Sequence, residues 1–141
     1  MKTLAIILLT LPLMAHAYCF KEAGERYGIE PSLLIAIAKT ESSMNPNARS
    51  PVGAIGLMQI YKSWFPILRQ RFGLTEQDIW EPCMNVMVGA WILSNEFSKH
   101  GKNWNSIGAY NAACTKLIGY KCLKARQDYS MRVWRNWNSM Q

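Results

Sequence analysis

The chain has 141 residues, half of them hydrophobic, with 16 Lys and Arg against 9 Asp and Glu, for a formal net charge of +7. That length suits one compact domain and leaves little room for a second. With four cysteines, two histidines, no C-x-x-C pair and no glycine-rich phosphate or dinucleotide motif, zinc chemistry has little support and nucleotide chemistry none.

Met1 to Thr3 carries one positive charge, and Leu4 to Met14 is apolar apart from Thr10. Ala15-His16-Ala17 then fits the small-x-small pattern of a signal-peptidase site. The expectation is a cleaved signal peptide over 1–17 and a mature domain over 18–141. The apolar run is too short for a comfortable membrane span, and no later segment offers one, so no stable membrane insertion is expected. Loss of Lys2 leaves 15 basic and 9 acidic residues, or +6. Export makes an oxidising compartment the setting for Cys19, Cys83, Cys114 and Cys122. Of the three pairings open to four cysteines, the favoured one joins Cys114 to Cys122 across a short loop and Cys19 to Cys83 across a long one; free buried cysteines are the alternative.

The rest reads as helix, without sustained period-two alternation. A short helix over Cys19–Tyr27 is closed by Gly28. Pro31 suits a first helical position, and the helix continues through Ser32–Thr40 with Leu33, Leu34, Ile35, Ile37 and Ala38. Asn45 to Pro51 is a loop, and Gly53 and Gly56 bracket a tight segment leading to Leu57-Met58-Gln59-Ile60. Ser63–Arg71 is helical with Pro66 inside, where a kink or break is expected. Thr75 to Asp78 resembles a helix start. Pro82–Lys99 reads as the longest helix and, being apolar on most sides, as the central one. Helices over Asn103–Ala113 and Leu123–Met140 complete an all-α chain.

Elimination then narrows the chemistry. After processing His100 is the only histidine, and it stands before Gly101, an ordinary place for a cation at a helix end. Ser-His-Asp and Cys-His catalysis would need that residue in a cleft. Carboxylates remain. Most of them lie at helix ends or on polar faces. Glu41 follows Leu34, Ile37 and Ala38 at intervals of seven, four and three, which puts it on the apolar face of its helix. Desolvation there raises a carboxyl's pKa and suits it to donate a proton near neutral pH. A helix-terminal Glu bonded to loop backbone is the alternative that spacing leaves open.

Glu41-Ser42, Gly56-Leu57-Met58-Gln59 and Ala109-Tyr110-Asn111 stand in order along the chain. With Asn45-Pro46-x-Ala48, Pro51-x-Gly53-Ala54, Asn85-x-x-x-Gly89-Ala90, Tyr129 and Val133, they resemble the soluble lytic transglycosylase catalytic domain, which has a goose-lysozyme-like fold. The likeness runs from Cys19 to Trp137 and looks nearest to small exported members associated with conjugation, secretion and pilus machines. It implies an all-α lysozyme-like domain with a substrate cleft, no cofactor, and Glu41 as catalytic acid. It implies that Ser42 helps position substrate, that Gly56, Leu57, Met58 and Gln59 line the cleft, and that Tyr110 and Asn111 lie near Glu41, where a phenol would tune the carboxyl. Tyr129 resembles a second aromatic of that region; core packing is the alternative for Met58 and Tyr129. Ala113 replaces the family's usual glycine.

No Asp or Glu lies between Ser42 and Thr75, where a second lysozyme-type carboxylate would be sought. The resemblance then implies that the substrate supplies the nucleophile: the bond between N-acetylmuramic acid and N-acetylglucosamine is cut with formation of an anhydro-muramoyl end. The implied partners are peptidoglycan and components of a secretion, conjugation or pilus machine, and the implied setting is the periplasm. A monomer without nucleic-acid affinity is expected, since export and acidic wall peptides account for the charge. A goose-type hydrolase, a non-catalytic wall-binding protein and an exported nucleic-acid binder are the rival readings.

Overall fold

The computed structural model describes residues 18–141; the signal-peptide reading of 1–17 lies outside the described residues. Seven α-helices follow one another, and among the described residues the only extended pairing is a set of isolated bridges, Arg49 with Ile55 and Ile55 with Ile60.

Local signals set most of the helix ends. α1 (Phe20–Tyr27) stops at Gly28, which takes a left-handed φ of 63°. α2 (Pro31–Ser42) begins with Pro31, whose missing N–H falls where no helical partner exists. It runs beyond Thr40 before Ser43 and Met44 turn left-handed, so Glu41 and Ser42 occupy its last turn. α4 (Glu76–Trp80) starts on a capping box between Thr75 and Asp78. α5 (Pro82–His100) is capped by the Glu81 side chain on the Met84 N–H.

Pro66 does not kink a helix. A 3₁₀ turn (Lys62–Trp64) precedes α3 (Phe65–Phe72), and Pro66 stands in the first turn of α3, where it displaces no backbone bond. α6 (Trp104–Asn111) starts on an Asn103 cap, its side chain accepting from the Ser106 N–H. α7 (Gly119–Asn138) begins four residues before the expected Leu123 and, at 20 residues, exceeds the 19 of α5. The Cys114–Cys122 bridge explains the early start, since it anchors the incoming loop to the first turn of α7.

α5 is central, as its apolar run implies. It packs on α1, α4 and α6, while α7 packs on α2 and α6. Leu34 and Ile37 of α2, Ile55, Leu57 and Met58 of the bridged loop, Val86 and Leu93 of α5, and Tyr129 and Val133 of α7 share one core. Both disulfides form as favoured, Cys19–Cys83 and Cys114–Cys122, with Cα separations of 5.1 and 5.5 Å. The first ties α1 to α5; the second ties the α6–α7 connection to α7.

Candidate active site

The bridged loop after α2 is held by side chains from three helices. Asn85 of α5 is fully buried. Its Oδ1 accepts from the Met58 N–H at 2.8 Å, and its Nδ2 donates to the Ile55 and Ile79 carbonyls at 3.0 and 2.9 Å. Gly56 sits against that carboxamide at φ +77°, so any Cβ there would stand on Asn85. One turn beyond Asn85, Gly89 leaves room for the Met58 side chain: a Cβ on Gly89 would come within 2.8 Å of it. Ser42 of α2 donates to the Leu57 carbonyl at 2.8 Å, and Tyr110 of α6 donates to the Met58 carbonyl at 2.8 Å.

The loop and the ends of α2 and α6 enclose a groove of about 350 Å³ lined by Glu41, Ser50, Val52, Ala54, Gln59, Tyr61, Tyr110 and Asn111. Glu41 is its only acidic side chain. The partly buried Glu41 carboxylate oxygen Oε1 accepts from the Tyr129 hydroxyl at 2.6 Å, across 88 residues of sequence. Burial raises the Glu41 pKa above the usual carboxylate value, against the opposing pull of the Tyr129 hydrogen bond and the Arg132 charge. Burial also pushes both tyrosines well above the usual phenol range, with the nearby Glu41 charge adding to it. Both phenols therefore stay protonated donors at neutral pH. Arg132 stands over the Tyr129 ring, its guanidinium carbon 5.7 Å from the centroid.

The residues singled out by sequence fall into two groups. Glu41, Gln59, Tyr110 and Asn111 line the groove, and Tyr129 reaches it from the core through its hydroxyl. Gly56, Leu57 and Met58 are buried, with the side chains of Leu57 and Met58 in the core. Glycine at 56 is explained by Asn85 rather than by an approaching ligand. The phenol bonded to Glu41 is that of Tyr129, whereas Tyr110 bonds to backbone. Ser42 likewise engages backbone, at Ala38 and Leu57. Gln59 has a left-handed φ of 49° and its Nε2 donates to the Ala48 and Gly56 carbonyls, so it closes the loop while facing the groove.

Sequence reasoning passed over Asn85 as a strut, Arg132 as a neighbour of the carboxyl, and Tyr61 and Ser50 as groove lining. A polar residue amid the apolar Met84–Ala90 run was a signal for the first. The i,i+3 spacing to Tyr129 was a signal for the second. Glu96 is a second buried carboxylate, but Lys99 at 2.9 Å and His100 at 3.6 Å cover it on α5. Among the described residues no three His, Cys, Asp or Glu side chains converge as a metal site requires.

The family model described as "Transglycosylase SLT domain" matches residues 18–131. Curated relatives include invasion protein IagB of Salmonella typhimurium, 35% identical over 131 residues that cover 89% of this chain and 79% of IagB. Protein IpgF of Shigella flexneri is 34% identical over 134 residues, covering 92% and 88% of the two chains. Among solved structures, an inactive Glu-to-Gln variant of lytic transglycosylase Slt from Pseudomonas aeruginosa superposes with a TM-score of 0.70 at 26% identity. That match covers 89% of this chain and 24% of Slt, so the chain spans about a quarter of that enzyme's length.

Proposed function

The chain belongs to the transglycosylase SLT domain family and is a peptidoglycan lytic transglycosylase, and from that premise we propose that Glu41 serves as both acid and base in a reaction that consumes no water. The observation that carries this reading is a single acidic side chain in the groove, desolvated and hydrogen-bonded by Tyr129. Burial shifts Glu41 toward its protonated form, and the acid passes its proton to the oxygen between N-acetylmuramic acid and N-acetylglucosamine. The C1–oxygen bond breaks, and the muramoyl N-acetyl group stabilises the cation that develops. Glu41, now a carboxylate held by Tyr129 and faced by Arg132, takes the proton of the muramoyl C6 hydroxyl as that oxygen bonds to C1. The proton returns to Glu41, and the strand leaves as a 1,6-anhydro-muramoyl end and a free N-acetylglucosamine hydroxyl. Ser42, Gly56, Leu57, Met58 and Gln59 contribute by fixing the groove wall, and Tyr110 and Asn111 by bounding the sugar next to Glu41.

Digestion of purified peptidoglycan with wild type and Glu41→Gln, followed by mass spectrometry, tests the chemistry. Products one water lighter than their hydrated counterparts are expected from wild type, and none from the variant. Only reducing, hydrated ends would make the protein a hydrolase; full activity in Glu41→Gln would remove Glu41 from the role.

We further propose that 1–17 is removed after Ala17 and that 18–141 works as the catalytic domain in the periplasm, where its two disulfides are stable. The mass of the exported protein checks this: Tyr18 as first residue is expected, and retention of Met1 would refute it. Kinship with an invasion protein supports a local opening of the wall for a secretion, conjugation or pilus machine. Loss of the gene should then reduce assembly or output of that machine, and complementation by Glu41→Gln should not restore it. Unchanged output would separate the enzyme from such machines.

A further inference from the structure

α7 carries a second apolar face that neither the core nor the groove uses. It buries Tyr129, Ser130 and Val133. Tyr120, Leu123, Met131 and Trp134 lie three, eleven and fourteen residues apart from Tyr120, which aligns them along one stripe of the helix. All four are exposed, Tyr120 by 76% and Leu123 by 62%. Ile118, 82% exposed, extends the stripe into the disulfide-closed loop, and Trp104 of α6 flanks it beside a shallow hollow of about 470 Å³. From Tyr120 to Trp134 the stripe is about 21 Å long at the helical rise. Lys121, Lys124 and Arg135 border it, all exposed. The one acidic residue of α7, Asp128, is taken up by Lys124 at 2.7 Å.

We propose that this face docks the enzyme peripherally on a bilayer surface bearing anionic headgroups. Charge complementarity selects that occupant: Lys121, Lys124 and Arg135 edge the stripe, and the one acid of α7, Asp128, is paired with Lys124, which leaves the border net positive. The side-chain types fit the same surface. Tyr and Trp are at home where an apolar layer meets a polar one, and Lys and Arg bury their stems while their charges reach headgroups. No helix of the described residues is long and apolar enough to cross a membrane, so the attachment lies in the interface. Tyr129, which holds Glu41, is nine residues from Tyr120 and so on the opposite side of α7. Docking by the stripe therefore leaves the Tyr129–Glu41 contact on the far side of α7. This surface stands apart from the cleavage chemistry.

The test is flotation of the mature protein with vesicles of phosphatidylglycerol and phosphatidylethanolamine, beside vesicles of phosphatidylcholine alone. Binding at least about tenfold stronger to the anionic vesicles is expected, weakened by salt, with a blue shift of tryptophan fluorescence. Leu123→Glu with Trp134→Glu should weaken binding about tenfold or more while lipid-free peptidoglycan digestion stays within about twofold. Tyr120→Glu alone, at an exposed site, should weaken binding several-fold should the double variant fail to fold. Equal binding to both vesicle types, no binding, or binding unchanged in the variants would overturn the proposal. So would a lipid-free wild-type dimer that Leu123→Glu dissociates, because a second copy would then cover the stripe.

Discussion

In the proposed reaction Glu41 faces opposed demands, as acid and then as base, and its neighbours bear on both. Burial favours the protonated acid needed first; Tyr129 and Arg132 favour the carboxylate needed second. Tyr129→Phe removes a contact that lowers the Glu41 pKa, so the pKa rises and the alkaline limb of the pH–rate profile moves to higher pH. Turnover should fall by roughly ten- to a hundredfold, the worth of a hydrogen bond to a charged group. A profile that keeps its alkaline limb would show that Tyr129 does not act on Glu41. Glu41→Gln should lower activity by about 10²- to 10⁴-fold or more, the usual contribution of a positioned acid–base group. It should also change stability with a definite sign. Because the folded state binds the Glu41 proton more tightly than the unfolded chain, wild type loses stability as pH rises from the unfolded pKa through the raised folded one. Glu41→Gln does not, so its melting temperature should exceed that of wild type at neutral pH and the gain should fade in acid. Thermal melts of both proteins across pH decide it.

At the scale of elements, the groove wall is a loop with little structure of its own, and the helices around it supply its rigidity. α5 contributes Asn85 and the space at Gly89, α2 contributes Ser42, and α6 contributes Tyr110. Asn85→Ala would strand the Met58 N–H and two carbonyls in the core at about 1–3 kcal/mol each. A loss of at least about 3 kcal/mol in urea unfolding is expected, with glycan cleavage impaired in whatever fraction stays folded. Gly89→Ala should cost about 1–3 kcal/mol by overpacking Met58; a neutral effect would mean that the loop yields where it is described as held.

For the whole molecule, the Cys19–Cys83 bridge spans 64 residues and Cys114–Cys122 only 8. In the chain-entropy account the long bridge is worth about 2 kcal/mol more. The Cys19→Ser/Cys83→Ser pair should therefore unfold at lower denaturant than Cys114→Ser/Cys122→Ser, and the reverse order would point to native contacts rather than loop closure. The basic surface should make digestion of acidic wall polymer slow as ionic strength rises, which turbidity assays at several salt concentrations can follow.

What the sequence determined by itself is local or compositional. Glycine and proline positions set the ends of α1 and α2, an apolar character on most sides marked α5 as central, and the 3.6-residue repeat put Glu41 on the buried side of α2. The short local loop between Cys114 and Cys122 also favoured the disulfide pairing that forms. These signals arise within a few turns of chain, or from the small number of ways four cysteines can pair. Pro66 and the start of α7 misled because a proline in a first turn and a proline inside a helix look alike until the preceding turn is known, and because a disulfide can anchor a helix start that periodicity leaves unmarked. Tertiary structure alone decided which phenol meets Glu41: the family resemblance pointed to Tyr110, but the packing of α7 brings Tyr129 to the carboxyl instead, across 88 residues. It also decided that Ser42 and Tyr110 bond to the groove wall's backbone, and that α7 keeps an apolar stripe in solvent. The physical reason is common to all three: a side chain's type fixes which bonds it can make, but only the packing of distant helices fixes which partner is within reach.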